Sequence, residues 1–169
     1  MTVETTPGLD QRAFRDALGH FASGITIVTG RDEEGPIGFT CQSFYSVSMV
    51  PPLISFSVMK TSTTYPRIRR SGRFAINVLA HDQHDVSSQF ARKGSDKWAG
   101  IEWRETAAGN PVITDTAMWL DCDIWAEYEA GDHFIVVGRV EEMNPAEWHR
   151  HEPLLFFKGA YRHLRAVAG

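Results

Sequence analysis

Three groups of histidines have spacings that could bind a metal ion. They are His81 with His84, His149 with His151, and His133 alone. Ligands this close in sequence project together only on a helix or across a turn, and neither Cys-x-x-Cys nor His-Glu-x-x-His accompanies them. We therefore interpret them as solvated histidines on helix starts and loops, and we expect no metal site.

Nucleophilic catalysis is a second chemistry to consider. Serine, histidine and aspartate are all present, but no Gly-x-Ser-x-Gly occurs that would expose a nucleophile on a sharp turn. Cys41 lies in a polar stretch and could be reactive, although burial is the commoner fate of a single small thiol. The sequence thus favours neither a serine hydrolase nor a thiol enzyme.

Hydroxyl side chains are concentrated in residues 38–48 and 60–64. The first segment adds the amide of Gln42 to a stretch that is otherwise typical of a strand. In the second, four consecutive hydroxyl residues follow Lys60, and arginines occur in the helix predicted after them. Hydroxyls, backbone N–H groups and a lysine at a helix start can bind an anion. A Ser/Thr-rich helix cap without any ligand explains the same residues equally well.

The elements that must position these segments are mostly strands. Phe14, Leu18, Phe21 and Ala22 share one face at helical spacing and predict an opening helix that ends at Gly24. From there the apolar residues recur with a period of two, which is typical of strands. The predicted strands cover residues 25–29, 37–50 in two pieces, 53–58, 74–78, 118–128 and 134–140.

The longest alternation predicts a β-hairpin. Apolar residues recur over 118–128 and are opposed by Asp121, Asp123 and Glu127, and residues 131–132 form the turn. A short helix is expected over 82–90, followed by a polar excursion. Short, closely spaced strands favour a barrel or sandwich. No Gly-x-Gly-x-x-Gly follows a strand, which disfavours a Rossmann domain.

Composition and charge exclude several functional classes. The 169 residues are 43% hydrophobic and 22% charged, as expected for one ordinary globular domain. The 17 basic and 21 acidic residues leave a net charge of −4, which argues against nucleic-acid binding. We expect no membrane association, because no apolar run approaches the roughly 20 residues of a membrane helix. Residues 1–10 lack the pattern of a signal peptide, and two cysteines suit a reduced cytoplasmic protein.

Eight segments in order carry a resemblance to a known family. They are residues 19–29 (GHFASGITIVT), 38–40 (GFT), 43–48 (SFYSVS), 51–53 (PPL), 71–79 (SGRFAINVL), 90–91 (FA), 131–133 (GDH) and 153–161 (PLLFFKGAY). In this order and spacing the chain resembles the short-chain flavin reductases, the NAD(P)H:flavin oxidoreductases of two-component flavin-dependent monooxygenases. The resemblance runs from about Phe14 to Tyr161, and we expect a single flavin reductase domain over residues 8–165.

The resemblance implies a mainly β fold, a split β-barrel of the FMN-binding type with a few peripheral helices. It also implies a homodimer with flavin bound near the subunit interface, and a partner monooxygenase that receives reduced flavin. The implied cofactors are FAD or FMN together with NADH. NADPH is less favoured, because no obvious arginine pair marks a site for its 2′-phosphate.

The resemblance also assigns site residues. Along the flavin ring it places Thr40, Cys41, Gln42, Ser43, Ser46, Val47 and Ser48, of which Cys41 and Gln42 depart from the usual family residues. The turn that receives the flavin phosphate comprises Lys60, Thr61, Ser62, Thr63 and Thr64. The ribityl or adenine side is assigned to Phe90, Ala91, Arg92 and Lys93, and Tyr161 completes the cofactor-binding set. His133 is the catalytic candidate beside the nicotinamide.

Hydride transfer between the two cofactors needs no general base, because the cofactors themselves carry the electrons. His133 is therefore expected to position nicotinamide, and the alternative is a histidine that only belongs to a hairpin turn. Two other functions remain open. One is a flavin-dependent reductase of ferric chelates or corrinoids, and the other is a flavin-binding module without turnover.

Overall fold

The structure, a computed structural model, describes residues 6–145, 147 and 151–167. Its helices are α1 (Gln11–Leu18), α2 (Tyr65–Ser71) and α3 (His84–Ala91). Its strands are β1 (Ser23–Gly24), β2 (Thr26–Asp32), β3 (Gly35–Cys41), β4 (Tyr45–Met49), β5 (Pro52–Met59), β6 (Arg73–Val78), β7 (Trp103–Glu105), β8 (Pro111–Ile113), β9 (Met118–Ala130), β10 (His133–Met143), β11 (Leu155–Phe157) and β12 (Ala160–Arg162). The predicted mainly β class is confirmed. None of the helices in the described ranges has the length and apolarity needed to cross a membrane.

Seven antiparallel strands form the main sheet in the order β3-β2-β6-β9-β10-β5-β4. Its inner face buries a core centred on Phe56, whose ring lies 5.1 Å from Phe74 and 6.1 Å from Phe39 between centroids. Phe39 is on β3 and Phe56 on β5, near opposite ends of the strand order. The sheet therefore curves until its ends meet through side chains, while none of its described ladders pairs β3 with β5.

A second core lies where α3 and the small sheet β1-β11-β12 pack against the main sheet. It buries Ile25, Ile27, Leu79, Phe90 and Leu154. The backbone joins the two sheets, because the N–H of Leu79 donates to Ile25 O over 3.0 Å and that of Leu154 donates to Leu79 O over 2.9 Å. This region fixes α3 and the β11–β12 turn beside the end of β3.

The opening helix is shorter and more exposed than the prediction. It begins after Asp10, whose carboxylate accepts the Ala13 N–H over 2.7 Å, and it ends at Leu18, followed by the C-cap Gly19. The prediction of a helix through Ala22 is therefore wrong. Its apolar residues do not join the core of this chain either, and Phe21 is 84% exposed.

The predicted β9–β10 hairpin is confirmed, but its strict alternation fails at both ends: Tyr128, expected on the apolar face, is exposed, and Asp121 is buried. Asp121 was expected on a solvent-facing side and is instead 2% exposed. The hairpin β7–β8 lies in and just after the segment that the sequence showed only as a polar excursion. It packs over the outer face of the main sheet at Asp121, and Asn110 donates to Asp121 Oδ1 over 2.6 Å. Burial raises the pKa of Asp121. Asn77 holds the same hairpin by accepting the Ile113 N–H over 2.8 Å.

Candidate functional site

The hydroxyl-rich turn and His133 lie at the same edge of the main sheet. The N–H of Lys60 donates to Asp132 O over 2.9 Å, and Met59 is paired with His133 in the β5–β10 ladder. The Lys60 ammonium forms an ion pair with Glu129 at 2.9 Å across the same turn. Two segments that the sequence separates by about seventy residues are thus joined by backbone and side-chain contacts.

The four hydroxyl side chains of the turn differ in whether the fold uses them as hydrogen-bond partners. Ser62 Oγ accepts the N–H of Tyr65 over 3.1 Å and so caps the first turn of α2. The side chain of Thr64 makes no capping hydrogen bond. Thr61 and Thr63 are exposed. Ser62 therefore has a structural task, whereas Thr61 and Thr63 present their hydroxyls to solvent.

Helix α2 is fastened beneath this turn by a carboxylate. Glu127 accepts a hydrogen bond from the Tyr65 hydroxyl and forms an ion pair with Arg69 at 2.9 Å. Burial and the neighbouring carboxylate raise the pKa of Tyr65, so its phenol stays protonated. The ring of Phe134 lies against both helix and turn, 5.6 Å from the Lys60 ammonium. The turn is consequently held in place from below.

One ring nitrogen of His133 is hydrogen-bonded within the fold, and the other is accessible to a ligand. Its Nδ1 lies 2.6 Å from Asp132 Oδ1, and this hydrogen bond lowers the pKa of Asp132. Because an ionised carboxylate only accepts, Nδ1 carries the proton and Nε2 is the remaining nitrogen. The side chain is 38% exposed, so Nε2 is accessible for positioning a polar group.

The side chains at the end of β3 are largely used by the fold. Thr40 Oγ1 donates to Ser87 O on α3 over 2.7 Å. Ser43 Oγ accepts the Ser57 N–H over 2.7 Å and donates to Ser57 O over 3.1 Å, where the β4–β5 ladder has ended. Cys41 is buried, and burial raises the pKa of its thiol. These three side chains are therefore engaged within the fold, and the groups they leave for a ligand are chiefly those of the backbone.

The rest of that segment is accessible. Gln42 is exposed between two residues whose side chains are engaged. On β4, Ser46 pairs with Ile54 and is exposed, Val47 occupies an irregularity in the ladder, and Ser48 follows it half-buried.

The two ends of the residue 90–93 segment behave differently. The Phe90 side chain is fully buried, 5.0 Å from the ring of Trp98. It cannot be a side-chain contact for flavin, because it packs under β3, where a Cβ at Gly38 would come within 2.9 Å of it. Ala91, the last residue of α3, and Arg92 and Lys93 after it are exposed.

Tyr161 meets Thr40 through α3. Its hydroxyl lies 3.1 Å from Ser87 Oγ and 3.0 Å from Ser88 Oγ, and Thr40 bonds the carbonyl of the same Ser87. Sequence reasoning missed both serines, and nothing in their local pattern distinguishes them from an ordinary helix surface. The structure therefore assigns Tyr161 a hydrogen-bonded place between β12 and α3.

A cleft of about 620 Å³ opens beside Gln42, between the end of α1 and the β11–β12 turn. It is lined by Arg15, Asp16, Leu18, Gly19, His20, Phe21, Gln42, Phe156, Lys158 and Gly159. Sequence reasoning missed this cleft, because its two walls lie some 140 residues apart in the chain. Both walls nevertheless belong to segments that carry the family resemblance.

The histidine groups do not assemble into a metal centre in the described part of the chain, where no three His, Cys, Asp or Glu side chains converge. His81 and His84 are exposed, and His149 lies outside the described residues.

Comparison with known proteins tests the resemblance that the sequence motifs carry. A model of the flavin reductase like domain matches residues 18–165. The chain belongs to this family. The recognition made from the sequence motifs is therefore confirmed.

Relatives and solved structures agree with this assignment. The reductase subunit HsaB of a flavin-dependent monooxygenase from Mycobacterium tuberculosis is 42% identical over 153 residues, covering 90% of this chain and 82% of that protein. The structure of nitrilotriacetate monooxygenase component B from Mycobacterium thermoresistibile has a TM-score of 0.89 at 39% identity, covering 95% of this chain and 89% of that chain. The Streptomyces globisporus NADH:FAD oxidoreductase SgcE6, in complex with NAD and FAD fragments, has a TM-score of 0.89 at 32% identity, covering 98% of this chain and 99% of that chain.

Proposed function

We propose that this flavin reductase transfers a hydride from NADH to FAD or FMN and releases the reduced flavin to a separate monooxygenase. The observation that carries the proposal is the backbone bond from Lys60 to Asp132, which sets the hydroxyl-rich turn beside His133. One edge of the sheet then offers groups for a phosphate next to a group for a nicotinamide. The names of relatives, reductase components of monooxygenases, support the same reaction.

The residues present fit a flavin. Thr61, Thr63 and the Lys60 ammonium suit its phosphate, and the backbone around Gln42 suits the polar edge of its ring. When bound, the flavin accepts the hydride at N5 from nicotinamide C4. The chain itself orients the reactants, which can remove about 7–11 kcal/mol of barrier. His133 orients nicotinamide through Nε2, while Asp132 holds the ring in one tautomer.

A homodimer would complete this edge. On the outward face of β4, β5, β9 and β10, Tyr45, Met59, Tyr128 and Ile135 are all exposed. His133 shares that face, since it precedes Ile135 by two residues on one strand. We propose that a second copy covers this apolar face and that residues 8–165 form one split-barrel domain in a cytoplasmic dimer. Sedimentation of Ile135→Arg is expected to show monomers where the parent sediments as a dimer, and a monomeric parent would contradict the proposal.

Steady-state oxidation of NADH and of NADPH, each with FAD, with FMN and with no added flavin, tests the function. The proposal predicts rapid NADH oxidation that depends on added flavin. Faster turnover with ferric chelates or a corrinoid than with free flavin would instead favour the second enzyme function. Absence of NADH oxidation with excess FAD would leave a flavin-binding module.

A further inference from the structure

The Lys60 ammonium, which the proposed function places on the flavin phosphate, already has an anionic partner within the chain. Its Nζ donates to Glu129 Oε2 over 2.9 Å. The Lys60 side chain is 24% exposed, whereas that of Glu129 is 76% exposed. The carboxylate therefore contacts the ammonium at the protein surface, where a phosphate would also have to approach.

The register of the main sheet brings these two side chains together. Glu129 on β9 is paired with Phe134 on β10, and Lys60 follows β5, the other neighbour of β10. The ammonium lies over the Phe134 ring, 5.6 Å from its centroid, so the lysine side chain crosses β10 to reach the carboxylate. At its other end, the backbone N–H of Lys60 is held by Asp132 O. The ion pair is thus a consequence of strand pairing.

A second glutamate on the same strand shows what a structural carboxylate looks like here. Glu127 precedes Glu129 by two residues and so shares its face of β9. The Glu127 side chain is 16% exposed, accepts the Tyr65 hydroxyl and forms an ion pair with Arg69 at 2.9 Å. Among the described residues, Glu129 has no partner besides Lys60. The fold therefore depends on Glu127, whereas Glu129 can leave its partner without disturbing a helix.

The charge of Glu129 opposes an anionic ligand at this turn. A carboxylate on the ammonium neutralises the positive charge that a phosphate would use, and it also repels the phosphate. Asp132 adds a second negative charge nearby, and its pKa is lowered by the hydrogen bond to His133 and by the charge of Lys60. Exposed ion pairs are weak, so a phosphate can displace Glu129 from Lys60 at small cost.

We propose that Glu129 competes with the flavin phosphate for Lys60 and thereby sets how tightly and for how long this chain holds flavin. Lys60 exchanges Glu129 for the phosphate when flavin binds, and Glu129 pairs with Lys60 again when reduced flavin leaves. This competition lowers flavin affinity and speeds release, which suits a reductase whose product is used by another protein. The inference rests on the proposed function for the presence of a phosphate at this turn.

The test variant is Glu129→Gln, which removes the charge and keeps the size of the side chain. Fluorescence titration compares FMN with riboflavin, which has the same ring and ribityl chain but no phosphate. We expect the Kd for FMN to fall by about three- to tenfold and the Kd for riboflavin to stay within about twofold. The rate of FMN dissociation, measured by rapid mixing, should fall by a similar factor, because affinity changes of this kind act mainly on the dissociation rate.

Two further variants separate competition for Lys60 from a general effect of charge. Glu102→Gln makes the same change in net charge at an exposed residue before β7 that forms no ion pair in the described part of the chain, and it should leave both Kd values within about twofold. In a Lys60→Met background, Glu129→Gln should change the Kd for FMN by less than about twofold, because no ammonium remains to compete for. An equal gain with and without Lys60 would overturn the inference.

The remaining outcomes distinguish this inference from the proposed function. Weaker FMN binding in Glu129→Gln would show that the carboxylate orients Lys60 toward the phosphate, and it would overturn the inference. A lower thermal midpoint with an unchanged ratio of FMN to riboflavin affinity would also overturn it, since Glu129 would then be structural. A parent that oxidises no NADH while its Glu129→Gln variant gains FMN affinity would contradict the proposed function and support this inference. A parent that reduces flavin, with no such gain in the variant, would do the reverse.

Discussion

Two hydroxyl-rich segments of similar composition have different tasks in this molecule. At the end of β3, the side chains of Thr40 and Ser43 are bonded to the backbone of Ser87 and Ser57. In the turn after β5, only Ser62 is used in this way, and its neighbours on either side are exposed. Hydroxyl-rich sequence therefore indicates a candidate site. Which of its hydroxyls can bind a ligand depends on which are not already hydrogen-bonded within the fold.

The largest effect is expected from the exposed hydroxyls. Replacing Thr61 and Thr63 together by Ala should raise the Kd for flavin at least about tenfold, because hydrogen bonds to charged groups are worth about 1.5–3 kcal/mol each. The thermal midpoint should not move. Fluorescence titration with FMN measures the affinity. Ser62→Ala is the matched control, expected to lower stability by about 1 kcal/mol through loss of the α2 cap. Unchanged flavin affinity in the double variant would show that the turn only caps α2 and does not bind the flavin phosphate.

A second effect concerns the histidine beside that turn. His133→Ala should reduce kcat/KM for NADH by about tenfold to a hundredfold, or about 1.4–2.8 kcal/mol of transition-state stabilisation. Flavin affinity should hold, because the flavin phosphate uses the turn. Unchanged kinetics would return His133 to an ordinary hairpin residue, and a far larger loss would indicate acid–base catalysis.

In the hydroxyl-rich segment at the end of β3, we expect substitution to reduce stability and to leave flavin affinity unchanged. Ser43→Ala removes the partner of both backbone groups of Ser57 and should lower the free energy of unfolding by about 1–3 kcal/mol. Urea denaturation measures this loss, while the Kd for flavin should stay within about twofold. Ser46→Ala, on the exposed β4, is the control for stability and should leave the free energy of unfolding unchanged. A flavin-specific defect in Ser43→Ala would mean that its hydroxyl contacts the ligand directly.

The smallest effect is a pH dependence of the helix that carries the turn. Arg67 bonds Asp32 and lowers the pKa of that carboxyl from 3.8 to about 2. The native pKa is below the unfolded one, so this contribution is complete above about pH 4 and is lost as pH falls toward 2. Asp32→Asn should therefore flatten the acid limb of a stability–pH profile. An unchanged acid limb would show that this half-buried pair contributes nothing measurable.

The sequence was sufficient to predict the fold class, because alternation of apolar and polar residues is a local signal for strands. The β9–β10 hairpin and the strand through Phe56 follow from β-branched and aromatic residues at a period of two. The β7–β8 hairpin was missed, since its short strands carry no such period. Asp121 was placed on a solvent-facing side for the same reason, because only that missed hairpin makes its face an interior.

The individual segments of the candidate site could be predicted from the sequence, but the contacts between these segments could not. Local motifs marked the turn and His133, but their contact depends on the register between β5 and β10. The partner of Ser43 lies on another strand, and the walls of the cleft beside Gln42 meet only after folding. Pairings between distant segments are set by tertiary packing, which local patterns do not encode.

Rapid anaerobic mixing of flavin-saturated protein with NADH shows directly whether the bound flavin is reduced. We expect the absorbance of oxidised flavin to disappear at a rate that saturates with NADH. At saturating flavin, the variant lacking the Thr61 and Thr63 hydroxyls should follow the parent, while His133→Ala should be slower. Flavin that stays oxidised in the parent at every NADH concentration would contradict the proposed hydride transfer, and a parental rate in His133→Ala would contradict the proposed role of His133.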